Sequence, residues 1–60
     1  MNFTKKENKY DPVITWVSDD GFWKIIKRPG KDYELRNVSL FNIMGEVVGT
    51  FKTLKEAMNF

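Results

Sequence analysis

The chain has 60 residues, enough for one small domain near the lower size limit for folding without covalent or metal staples. It has no cysteine and no histidine, which excludes disulfides, thiolate metal sites and the commonest catalytic nucleophile and base. Net charge is only +2, so charge alone names no partner. Apolar runs are a few residues long and the amino end is polar, so neither a membrane span nor a signal peptide is expected. A cytoplasmic location is therefore expected. Nine aromatic side chains must supply much of the core.

Residues 1–11 lack periodicity and are predicted to form a flexible leader ahead of a single domain over 12–60. Asp11-Pro12 marks the entry, because proline fixes its own φ and drives its predecessor out of helical space. Residues 13–17, Val-Ile-Thr-Trp-Val, are β-branched and aromatic and read as a first strand. Ser18-Asp19-Asp20-Gly21 is a turn, since Asp side chains bond nearby amides and Gly permits positive φ. Residues 22–27, Phe-Trp-Lys-Ile-Ile-Lys, form a second strand. Arg28-Pro29-Gly30-Lys31 then sets Pro and Gly in the order that type II turns favour. A third strand starts at Asp32 or Tyr33 and reaches Arg36. A bulge or short break is expected at 37–39, with 40–43 resuming extended structure. Met44-Gly45 is predicted to turn the chain into a fourth strand over 46–51.

The pattern then switches to a helix within two residues. Thr53 is a good N-cap, and Glu56 completes a Thr-x-x-Glu capping box. Leu54, Ala57 and Met58 lie at i, i+3 and i+4, on one helix face. That face must dock on the sheet, above Phe51, because two turns of helix do not survive alone. The predicted fold is therefore α+β: an antiparallel three- to four-stranded meander with one short C-terminal helix packed on it, in the order β-β-β-β-α.

Charge is uneven along this frame. Residues 24–36 carry five cations, Lys24, Lys27, Arg28, Lys31 and Arg36, against Asp32 and Glu34. Such a cluster docks phosphates or, equally, guards a solvated hairpin against strand addition. The second strand alternates Phe22, Lys24, Ile26, Arg28 on one side with Trp23, Ile25, Lys27 on the other. Both sides hold apolar residues, and one short helix covers only one of them. Either the leader and first strand fold over the second side, or Trp16 and Trp23 form a protein-recognition patch.

From Lys24 onward the order is basic strand, Arg-Pro-Gly turn, Asp-Tyr-Glu-Leu-Arg strand, and then Gly49-Thr50-Phe51-Lys52-Thr53-Leu54-Lys55-Glu56-Ala57. This layout resembles the three-stranded-sheet DNA-binding domains of the ethylene-response-factor (apetala-type) class. It is also similar to the N-terminal arm-binding domains of tyrosine recombinases and to small phage-borne relatives. The resemblance implies a sheet lying in the DNA major groove with the helix behind it. It would give Lys27, Arg28 and Arg36 the DNA contacts and Lys31 a phosphate contact, with Lys24 a nucleic-acid-binding candidate from its place in the same basic hairpin.

An enzyme is not expected, nor a cofactor. Asp19-Asp20-Gly21 reads as a turn rather than a metal loop, because the further ligands of a calcium site are missing. Two functions from different classes remain. One is nucleic-acid binding through the 24–36 hairpin, of a phage or mobile-element accessory type. The other is a phage-encoded protein-interaction module that inhibits or adapts a host protein, with an edge-paired homodimer as its variant.

Overall fold

The computed structural model describes residues 2–59. Five strands come first: β1 (Phe3–Asn8), β2 (Asp11–Ser18), β3 (Trp23–Lys27), β4 (Tyr33–Ser39) and β5 (Asn42–Phe51). Helix α1 (Leu54–Met58) closes the chain. Each strand pairs antiparallel with the next, giving one sheet in the order β1-β2-β3-β4-β5. The antiparallel meander and terminal helix are as the sequence suggests, but the strands number five rather than three or four.

The additional strand, β1, falls inside the segment read as a flexible leader over 1–11. It extends the sheet in its own plane, with Lys5 opposite Trp16 and Lys6 opposite Thr15, and so does not fold over a sheet face. Its polar sequence hid it. An edge strand draws its pairing from backbone groups and tolerates lysine on the solvent side. The Asn8 side chain accepts the Tyr10 amide at 2.9 Å and turns the chain back into β2.

A second difference lies between β4 and β5. The hairpin turns at Leu40-Phe41, not at Met44-Gly45. Ser39 Oγ accepts the Asn42 amide at 3.1 Å, and Asn42 Oδ1 accepts the Gly45 amide at 3.1 Å. These local side-chain bonds offer the backbone an alternative to ladder pairing and fix the turn early. Gly45, at φ +78, instead serves an irregularity inside β5, where the register shifts between Asn37 and Ser39.

Register sorts the side chains into two faces. Trp16, Ile25, Leu35 and Gly49 stand in one cross-strand row. Three of them, with Ala57 of α1, form the buried core. Phe3, Ile14, Trp23, Tyr33, Phe51 and Leu54 pack around it. The Phe51 ring leans over Gly49, and a Cβ there would lie 3.6 Å from that ring. α1 therefore sits on this face, against β4 and β5. Thr53 caps it as expected, with Oγ1 accepting the Glu56 amide at 3.2 Å. Of the three residues on its expected packing face, Met58 stays exposed.

Candidate functional site

Two surfaces compete for a functional role, and both follow from the register. The first is the face that α1 leaves open. Thr4, Val17, Lys24, Arg36 and Val47 form one row across it, and Lys6, Thr15, Ile26, Glu34 and Thr50 the next. Lys24 and Arg36 are thus cross-strand neighbours. Lys27 is not with them. It pairs with Tyr33 on the helix side, its Nζ 5.7 Å from the Tyr33 ring, and it donates to the Arg28 carbonyl at 2.9 Å. Lys31 is exposed at the β3–β4 turn, where its amide donates to the Arg28 carbonyl at 3.1 Å.

The two arginines are turned inward, toward one carboxylate. Arg36 Nε donates to Glu34 Oε1, and its Nη1 donates to the Met44 carbonyl at 3.0 Å. Arg28 Nη1 lies 3.5 Å from the same Glu34 oxygen. The Arg36 side chain keeps only 18% of its surface in solvent, against 47% for Arg28. The Arg36 hydrogen bond, opposed by desolvation and aided by the charges of both arginines, holds the Glu34 carboxyl below its ordinary range. Bidentate reading of a base edge needs a free guanidinium fork, and here Arg36 has its fork engaged. The five cations expected to act together are therefore divided between the open face, the helix side and a turn.

The second surface is the end of the sheet where the β2–β3 turn meets the β4–β5 hairpin. Ser18 is buried and organises the turn. Its hydroxyl donates to Asp20 Oδ1 at 2.6 Å and accepts the Trp23 amide at 3.0 Å. Asp20 Oδ1 also accepts the Phe22 amide at 3.0 Å. The Ser18 bond, followed by that backbone bond, lowers the Asp20 pKa. The Asp20 carboxylate is thus engaged in shaping a turn. Among the described residues, no three His, Cys, Asp or Glu side chains gather to hold a metal ion.

The Phe22 carbonyl accepts the Val38 amide at 2.8 Å and the Asn37 side-chain amide at 3.2 Å, tying the turn to the end of β4. Between them opens a groove of about 430 Å³, with Phe22, Val38, Leu40 and Ile43 as its apolar walls and Asp20 and Ser39 at its rim. Leu40, on its wall, and Phe41, next to it in the turn, are 93% and 101% exposed. Met44, Val47 and Val48 continue the apolar surface along β5.

The recognition patch expected at Trp16 and Trp23 requires correction. Trp16 is 8% exposed and belongs to the core, its ring 5.7 Å from that of Tyr33. Trp23 is half-buried and packs against the same cluster. Sequence reasoning missed the residues that are exposed: Phe22, Leu40, Phe41 and Ile43. The available signal was an apolar pair held between Ser39 and Asn42, both of which bond their own backbone readily. Comparison with protein-family models, curated proteins and solved structures returns no match for the chain. No helix among the described residues is long and apolar enough to cross a membrane.

Proposed function

We propose that the chain is a small non-catalytic protein-binding module whose contact surface is the apolar end of the sheet around Phe22, Val38, Leu40, Phe41 and Ile43. One observation carries this reading. Six of the nine large apolar side chains exposed among the described residues fall within 40–48. Apolar side chains exposed singly are ordinary, but their concentration in one hairpin marks a surface on which something docks. Leu40 and Phe41 take no part in the core, so packing within this fold does not account for their apolar character. A groove beside exposed aromatic and aliphatic anchors is how protein partners are usually gripped.

Nucleic-acid binding is the second reading. It is favoured by the placement of Lys6, Lys24 and Arg36 on the sheet face opposite α1. It ranks lower because Glu34 engages both arginines and Lys27 stands on the other face. Photo-crosslinking separates the two. A benzophenone side chain installed at position 41 is expected to capture protein in cells, while the same group at position 31 captures none. Nucleic-acid adducts from position 31, with no protein adduct from position 41, would reverse the ranking.

A further inference from the structure

We infer that β5 pairs antiparallel with β5 of a second copy, joining two sheets into one of ten strands. This rests on the protein-binding reading of residues 40–48 and names the partner for their outer edge. A five-stranded meander has two edges, here β1 and β5, and they differ in kind. β1 displays Lys5, Lys6 and Glu7, with Lys5 and Glu7 3.6 Å apart. Edge lysines resist strand addition because pairing would desolvate them. β5 is the longest strand, with ten residues and Glu46 as its one charge. Ile43, Met44, Val47 and Val48 stand exposed along it.

A second copy suits this edge on charge, and the area within reach sets the strength of the pairing. Antiparallel pairing centred on Val47 sets Glu46 beside Val48 of the other copy, so the two carboxylates do not face each other. Each exposed apolar side chain offers about 60–100 Å² for burial. Only Val47 and Val48 of each copy lie within the paired stretch, so with the ladder backbone the buried area stays well below the ~1,200 Å² at which stable interfaces begin. The pairing is therefore weak and exchangeable. The register shifts on either side of Glu46-Val47 keep the paired stretch short, and the guarded β1 edge stops assembly at two copies. Pairing about Val47 also sends the two hairpin tips to opposite ends, about 30 Å apart at strand rise, which makes the dimer two-headed.

Sedimentation of the full chain across about 10 μM to 1 mM tests the pairing. The expected result is a rise from 7.1 kDa toward twice that mass. Val47→Lys with Val48→Lys is expected to weaken association at least tenfold while the emission of Trp16 and Trp23, both packed in or against the core, stays unchanged. Because the chain lacks cysteine, Val47→Cys gives a second readout: oxidation should yield a disulfide dimer, and Lys5→Cys should not. A monomer throughout the range, a dimer indifferent to the lysines, or crosslinking through position 5 alone overturns the pairing. A strict monomer that still yields protein adducts from position 41 defeats the pairing only. Loss of those adducts defeats the protein-binding reading itself.

Discussion

Glu34 stands between Arg28 and Arg36, and its protonation state governs the charge of the open face. Its folded pKa lies below the ordinary value near 4.5, so between those two values the unfolded chain binds the extra proton. Its stabilisation is therefore complete above about pH 4.5 and is lost as pH falls through the depressed folded value. Asp20, also lowered, contributes with the same sign from an ordinary value near 3.8. Glu34→Gln should cost about 1 kcal/mol near neutral pH and flatten the loss of stability on acidification. Urea midpoints for both proteins between about pH 7 and pH 3 check this. Parallel curves would mean that the pair contributes nothing. Gly45 offers a second residue-scale comparison. A Cβ there would lie 3.0 Å from the Asn37 carbonyl and 3.1 Å from both Arg36 Cβ and Val38 Cγ2, at φ +78. At Gly30, φ is +73 but nothing lies within 4 Å. Gly30→Ala should cost about 1 kcal/mol from backbone strain, and Gly45→Ala at least twice that, in thermal or urea unfolding.

At the scale of elements, legibility tracked where the physical signal resided. α1 was readable because its determinants are local: Thr53 as cap, Glu56 three residues on, and Ala57 buried against the core. β2 and β3 were readable from β-branched and aromatic runs, and two turns from Gly21 and Gly30. β1 was not, because after Phe3 the run Thr-Lys-Lys-Glu-Asn carries no hydrophobic period and is exposed, pairing through its backbone. The β4–β5 turn was misplaced for the opposite reason. Gly45 gave a stronger signal than Ser39 and Asn42, yet its positive φ serves an irregularity within the strand. That misplacement concealed the exposure of Leu40 and Phe41. The separation of Lys27 from Lys24 was legible in the parity of the second strand, but the engagement of Arg28 and Arg36 by Glu34 was not, since it depends on the register of β4 against its neighbours. Thr53→Ala tests the helix, which is too short to hold itself. The expected loss is about 1 kcal/mol, with circular dichroism showing α1 frayed before the sheet melts. Unchanged stability would mean that docking through Leu54 and Ala57 alone holds it.

Across the whole molecule, a small core of Trp16, Ile25, Leu35 and Ala57 supports a sheet that is covered on one face. Seven of the nine large apolar side chains exposed among the described residues gather at one end and along one edge. This division predicts that stability and binding can be mutated separately. Ile25→Ala, in the fully buried row, should cost about 2–5 kcal/mol and unfold a domain of this size at physiological temperature. The double variant Leu40→Asp with Phe41→Asp removes side chains that touch no core residue. It is the most direct test of the central claim. Unfolding free energy should remain within about 0.5 kcal/mol of the parent, while protein adducts from a benzophenone at position 22, outside β5, disappear. A variant that keeps those adducts, or that loses them only because it unfolds, would contradict the assignment of the hairpin tip as the binding surface.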